Sequence, residues 1–238
     1  MKERPILFKG ELVREILAGT KTQTRRLVDM RVPMDYIGPA GFDNDPECWG
    51  YQAEDAHWYV LARGKNERHP HGMISIPCPR GEVGDRLWVR ETWRFSDWTE
   101  DGYPFVEKQA DDTVDLCGRI SQEWGERLSN TIWAELSKGR GDGEKASDRK
   151  WRPSIHMPRW ASRIDLEIVE VRVQRLQEIT EEDARAEGVV ADDISKVGVP
   201  CFSARKRFEQ LWDVINGERA TWESNPWVWA ISFRRVRP

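Results

Sequence analysis

The sequence predicts an α+β fold: a β-barrel or curled sheet with short peripheral helices and long insertions. Three observations predict it. The segments with clear periodicity are mostly alternating strands, the helical segments between them are short, and no internal repeat or long linker divides the 238 residues. That length suffices for one large domain, so the reading is a single domain over 1–238 with insertions at about 29–75 and 94–148.

Taken in order, GELVREILAG (10–19) carries Leu12, Val13, Ile16 and Leu17 at helical spacing, with Glu11, Arg14 and Glu15 facing away. Gly19 suits the left-handed residue that ends a helix. The run from Thr20 to Val28 then extends. A period of two places Thr22, Thr24 and Arg26 on one face and Gln23, Arg25 and Leu27 on the other, with Lys21 at the turn. Residues 29–80, rich in Gly, Pro, Asp and His, read as irregular. Gly84-Asp85 marks a turn, and RLWVRETW (86–93) alternates as a strand with Leu87, Val89, Glu91 and Trp93 on one face. Residues 94–150 are acidic and polar, with a broken helix in SQEWGERLSNTIWAELSKG (121–139).

ASRIDLEIVEVRVQRL (161–176) reads as a long strand whose alternation changes phase after Ile168, as a β-bulge would produce. In ITEEDARAEGV, Thr180 is the helix cap with Asp183 three residues on, and Gly188 is the stop. ARKRFEQLWDVINGE reads as a helix with Phe208, Leu211, Trp212 and Ile215 on one stripe, and PWVWAISFRRV as a closing alternating strand.

No apolar run is long enough to span a membrane. The first residues, MKERPILFKGEL, lack a secretory signal's apolar run and cleavage site, so the expected location is the cytoplasm. Cys48, Cys78, Cys117 and Cys201 form no C-x-x-C pair, and reduced thiols suit that compartment. His69-Pro-His71, with His57 and Cys78, fits no common zinc spacing, and neither a metal nor a cofactor is expected.

Net charge is −4, but its distribution is uneven. Residues 1–26 hold seven Lys/Arg against three acids, 149–163 hold five and none, and 94–148 hold thirteen acids against seven bases. Two basic segments on an acidic chain suggest an anion-binding surface. The 13 tryptophans are expected mostly in the core. TKTQTRR supplies hydroxyls, an ammonium and two guanidinium forks, groups suited to phosphate and polar base edges. WRPSIHMPRW (151–160) mixes Arg152, Arg159, Trp151, Trp160 and His156. It suits a nucleic-acid contact, or equally an extended segment with buried tryptophans. Glu91, on an apolar strand face, needs a cation; Arg86, Arg90 and Arg163 are candidates.

Gly19-x-Lys21-x-x-Thr24-x-Arg26 resembles the G-x-K-x-x-[ET]-x-R signature of ASCH domains, PUA-like β-barrels associated with RNA. The wider chain is similar to a bacteriophage and prophage group of ASCH-domain proteins. The resemblance runs in order through RPILFKGELVREILAGTKTQTRR, GDRLWVRETW, WRPSIHMPRWASRI, LQEITEEDARAEGV and FEQLWDVINGE…NPWVW, and omits 29–75 and 94–148. One ASCH branch removes the acetyl group from N4-acetylcytidine, and another is linked to RNA cleavage. By motif, the resemblance to the first branch implies catalytic Lys21, Thr24 and Glu187, although this chain is far longer than that branch. Lys21 then acts at an acyl carbon as nucleophile or electrostatic catalyst, Glu187 relays its proton, Thr24 serves the oxyanion and Arg26 anchors the site. Arg25, Arg26, Glu91, Arg152, His156, Arg159 and Trp160 are the expected contacts to RNA or a modified nucleoside. A non-catalytic RNA-binding module, a ribonuclease and a phage assembly or host-interaction scaffold are the alternatives.

Glu187 also carries an argument of its own. It falls in the last turn of a short helix, where the negative end of the dipole disfavours a carboxylate by a few tenths to about 1 kcal/mol. Lys21 follows a helix stop with no carboxylate beside it in sequence. Meeting in one place offsets both costs, so the two are expected together, and alanine at either is expected to remove activity with the melting temperature nearly unchanged.

Overall fold

The computed structural model describes residues 1–28, 49–52, 57–61, 73–98, 104–116, 150–189 and 202–236. Along the chain these form β1 (Glu3–Leu7), α1 (Gly10–Ala18), β2 (Gln23–Leu27), β3 (Trp49–Gln52), β4 (His57–Leu61), β5 (Met73–Ile76), β6 (Arg86–Arg90), β7 (Trp93–Trp98), β8 (Pro104–Lys108) and β9 (Val114–Leu116). They continue with β10 (Asp165–Arg175), α2 (Glu181–Ala186), α3 (Ala204–Asn216) and β11 (Trp227–Val236). The sheet orders are β1-β6-β10-β11-β2, β3-β4-β5 and β7-β8-β9. This is an α+β architecture. Among the described residues no closed barrel forms, and β1 and β2 are the edges of the larger sheet. No helix among them is long and apolar enough to cross a membrane.

Several expectations are corrected. Residues 29–80 are not irregular throughout, since they contain the antiparallel strands β3, β4 and β5. Strands of four or five residues are too short to display a period and owe their conformation to pairing. The antiparallel β7-β8-β9 sheet likewise occupies part of 93–116. RLWVRETW is split at Glu91-Thr92 into β6 and β7, which belong to different sheets. The helix expected over 121–139 lies outside the described residues.

The chain divides into two compact units. One comprises Met1–Lys2, Thr20–Arg86 and Glu167–Arg234. In it β2 and β11 pair antiparallel from Val228↔Leu27 to Ser232↔Gln23, so residues from both ends of the sequence share one sheet. β11 does not alternate. Trp227 through Ile231 are all buried, because a strand interior to the sheet is covered on both faces. Ser203 caps α3 by accepting from Lys206 N–H. α3 then buries Ala204, Phe208 and Trp212 against Leu176, Ile179, Ala184, Trp222 and Val228. Leu211 is only half-buried and Ile215 is exposed, so the apolar stripe is narrower than its spacing suggested. Trp212 Nε1 donates to the Ala220 carbonyl at 2.9 Å, which satisfies the polar edge of a buried indole.

The other unit comprises Glu3–Gly19, Leu87–Leu166 and Arg235–Pro238. α1 buries Val13 and Ile16, and Gly19 ends it at φ 82 with its N–H directed to the Glu15 and Ile16 carbonyls. Trp93, Val106, Met157 and Ala161 form a small core, with Trp160 edge-on to Trp93 at 5.9 Å between centroids. β10 contributes residues to both units. Leu166 and Ile168 are fully buried, whereas Val169 is exposed and Val171 and Val173 only half-buried.

Two glycines separate backbone strain from crowding. An added Cβ at Gly19 would meet nothing within 4 Å, whereas at Gly81 (φ 119) it would lie 2.9 Å from Asp85 Oδ2. That carboxylate is buried and accepts the Lys2 N–H at 2.6 Å. Gly19→Ala is therefore expected to cost about 1 kcal/mol, the left-handed penalty alone. Gly81→Ala is expected to cost about 3 kcal/mol, because it also displaces Asp85. Urea denaturation of both variants checks the difference, and equal costs would sink the crowding account.

Candidate functional site

β2 carries Arg25 and Arg26, Lys21 lies two residues before it, and burial forces each cation to find a partner. α2 supplies the carboxylates. Thr180 Oγ1 accepts from Asp183 N–H at 3.1 Å and starts α2. Gly188, at φ 83, lies just beyond it, and the six-residue helix ends with Glu187 at its C-cap. Asp183 and Glu187 are four apart and present their side chains in the same direction. The first extended residues of the neighbouring strand dock on this end, with Thr22 N–H donating to the Ala186 carbonyl at 2.8 Å.

Lys21 is 2% exposed and Glu187 4%. Lys21 Nζ donates to Glu187 Oε2 at 2.8 Å, to the Glu187 carbonyl at 2.8 Å and to the Gln23 carbonyl at 2.7 Å. Three acceptors match the three protons of an ammonium, one of them a carbonyl at the negative end of α2. Burial acts in the opposite sense and wins: desolvation lowers the Lys21 pKa, against the attraction of Glu187 and with a further push from Arg26 and Arg25.

Arg25 takes the other oxygen of Glu187. Its Nη1 donates to Glu187 Oε1 at 3.1 Å and to Gln23 Oε1 at 2.6 Å, and its Nη2 to Asp183 Oδ2 at 2.7 Å. The guanidinium also lies 5.8 Å from the Phe208 ring centroid. Its Nε is buried without a hydrogen-bond partner, a cost the network carries. Asp183 is shared with Arg172 Nη2 at 3.3 Å. Burial pushes Asp183 up, but the Arg25 and Arg172 guanidinium groups outweigh it and hold the carboxyl below the usual range.

Thr24 and Arg26 belong to the other face of β2. Arg26 Nη1 donates to Thr24 Oγ1 at 2.9 Å. Desolvation brings Arg26 down to about 10, against the Glu187 carboxylate and with the Arg80 guanidinium adding to the fall, so it remains charged at neutral pH. The structure thus joins Lys21 and Glu187 directly, whereas Thr24 is bonded to Arg26 on the other face of β2.

The remaining expected site residues lie in the other unit. Glu91 is buried, and its partner among the three candidates is Arg163, whose Nε and Nη2 donate to the two carboxylate oxygens at 2.9 Å each. Arg163 also grips Asp111 at 2.8 and 3.0 Å and the Thr113 hydroxyl. Burial pushes Asp111 up, but Arg163 and Thr113 outweigh it and lower its pKa. Arg152 lies 5.3 Å from the Trp93 ring centroid, and Arg159 pairs with Glu3 at 2.9 Å and Asp165 at 3.1 Å. His156 is exposed at the end of a single 3-10 turn, and Trp160 is half-buried against Trp93.

Asp183, Gln23 and Arg172 were not expected at the site. Asp183 had a signal, the four-residue spacing to Glu187, but its capping position accounted for it. Gln23 and Arg172 had none, because their roles follow from strand pairing. No family model, no curated protein and no solved structure matches this chain.

Burial of the pair overturns the expectation that alanine variants keep their melting temperature. Glu187→Ala strands two buried cations and is expected to cost about 3–5 kcal/mol, measured by urea denaturation. A pH signature accompanies the pair. Because the folded chain holds the Lys21 proton less tightly than the unfolded chain, the unfolded state binds more protons between the lowered value and the ordinary 10.5. Stability from this group therefore rises with pH across that window. Lys21→Met is expected to lack that rise, and identical alkaline profiles for the two proteins would count against it.

Proposed function

We propose that this protein is a PUA-like, phage-type ASCH protein of the cytoplasm that binds RNA or a modified nucleoside at the Lys21–Glu187 site and hydrolyses an N4-acetylated cytidine there. The observation that carries the reading is the 2.8 Å contact between a buried lysine and a buried glutamate, within a motif similar to that of the amidohydrolase branch. An ammonium with a depressed pKa is a better acid than a free lysine, and an adjacent carboxylate is a base.

The chemistry then divides between them. Glu187 takes a proton from water, and the hydroxide adds to the acetyl carbon. The Thr24 hydroxyl and the Lys21 ammonium stabilise the oxyanion. Lys21 gives a proton to the leaving exocyclic amine, acetic acid departs and ionises in the solvent, and the Glu187 proton returns to Lys21 along their hydrogen bond. Attack by the lysine itself gains less, since acyl transfer to an amine only exchanges one amide for another.

A second reading has its own support. The near-complete burial of both residues suits a structural ion pair, with function limited to RNA binding through the basic segments 1–26 and 149–163. A pure-protein assay separates the two. The hydrolase reading expects release of acetate from N4-acetylcytidine, reduced about 10²–10⁴-fold in Glu187→Gln. The binding reading expects no turnover and single-stranded RNA affinity that falls with salt by about 0.7 in log–log slope per phosphate neutralised. Neither turnover nor binding leaves the scaffold alternative.

A further inference from the structure

Arg25 was expected to touch the ligand, and its geometry contradicts that use. Nη1 and Nη2 are committed to Gln23, Glu187 and Asp183, and the side chain is 1% exposed. The partners of those partners close a ring. Gln23 Nε2 donates to Ser232 Oγ at 3.2 Å, and Ser232 Oγ donates to Glu170 Oε2 at 3.0 Å. Arg172 Nε lies 3.5 Å from Glu170 Oε2, an ion pair without a hydrogen bond, and Arg172 Nη2 reaches back to Asp183. β2, β11, β10 and α2 each contribute to the ring, and the circuit returns to Arg25. Of its outer members Glu170 is exposed and Arg172 half-buried, while Arg25 is sealed inside.

We propose that Arg25, locked by Asp183 and Gln23 within this ring, is a positioning residue that fixes Glu187 so that Oε2 alone serves Lys21 while Oε1 is held away. The carboxylate has two oxygens and two cations, and each cation holds one. Were Arg25 absent, Glu187 could turn both oxygens onto Lys21, and the ammonium would hold its proton more firmly. With Arg25 present, the attraction is divided and a second positive charge lies beside the amine. Both effects keep the Lys21 proton available for transfer. The catalytic meaning of this arrangement rests on the hydrolase reading, but the division of Glu187 does not.

The charged groups acting on Lys21 are Glu187 at the end of α2 and Arg25 and Arg26 from β2, with Arg80 acting on Arg26. Asp183 from α2 and Arg172 and Glu170 from β10 pair with Arg25 or with one another. β11 contributes the uncharged Ser232 to the ring. Arg25 holds Oε1 of the carboxylate that Lys21 uses and also repels the amine. Removing it therefore shifts Lys21 in one direction, upward.

The test is direct observation of the Lys21 side chain by NMR in the full chain labelled with ¹³C and ¹⁵N at lysine, titrated with pH. Arg25→Gln is expected to raise the Lys21 midpoint by about one pH unit. Arg25→Lys, which keeps the charge, is expected to return it most of the way. A midpoint unchanged or lowered in Arg25→Gln overturns the proposal. Should that variant not fold, the ¹⁵Nη signals of Arg25 in the wild-type chain labelled with ¹⁵N at arginine decide: hindered rotation supports the lock, and free rotation overturns it. These readouts need no turnover. A shifted midpoint in a protein that never releases acetate would retain the positioning role and reject the hydrolase reading.

Discussion

One carboxylate shared by two buried cations organises the first unit. Lys21 and Arg25 are both brought inside, and Glu187 gives one oxygen to each. The requirement passes outward through the fold. α2 must end at residue 187, so that both the carboxylate and the last carbonyl face Lys21. Thr180 fixes where the helix begins, and Gly188 takes the left-handed conformation just past its end. The register of β2 on β11 is equally constrained, because a slip of one residue would turn Gln23 and Arg25 to the opposite face.

The network is better understood as specifying an arrangement than as adding stability. Replacing a buried ion pair by apolar groups of similar volume is often neutral or favourable, and here Arg25 also leaves Nε unsatisfied. Attachment of α2 comes instead from apolar burial: Ala184 packs with Leu176, Ile179 and the aromatic stripe of α3. Since hydrophobic packing already holds the helix, the polar network is an added cost that the fold tolerates. Costs of that kind are concentrated where a chain uses a group chemically.

Legibility in the sequence followed how local the cause was. α1, its Gly19 stop, the Thr180 cap and α3 are set by neighbours three or four residues away, and periodicity exposed them. The Lys21–Glu187 meeting was legible for a different reason: each residue was unfavourable where local sequence placed it, and one contact relieved both. β3, β4 and β5 were not legible, because strands so short take their conformation from pairing. β11 was legible as a strand but its burial was not, since alternation disappears when an interior strand is buried on both faces. Arg25 shows the limit most plainly. Read as a guanidinium on an exposed strand it belongs to a ligand. Its real partners, Gln23, Asp183 and Glu187, depend on α2 lying over β2, which no local pattern states.

The second unit contains a comparable device, and the contrast is informative. Arg163 grips Glu91 and Asp111 as Arg25 grips Glu187 and Asp183. In the Arg163 cluster both Glu91 oxygens are taken by the one guanidinium. A guanidinium does not give up its proton near neutrality, so such a clamp can join chain segments but has no proton to pass on. In the Arg25 cluster one Glu187 oxygen is withheld from the guanidinium and given to an amine that burial has made more acidic. Two arginines and four carboxylates therefore build similar geometry with different chemical capacity. The difference is the single lysine, whose ammonium lies 2.8 Å from the carboxylate oxygen of a second buried group. That is the physical reason to look for chemistry at Lys21 and for architecture at Arg163.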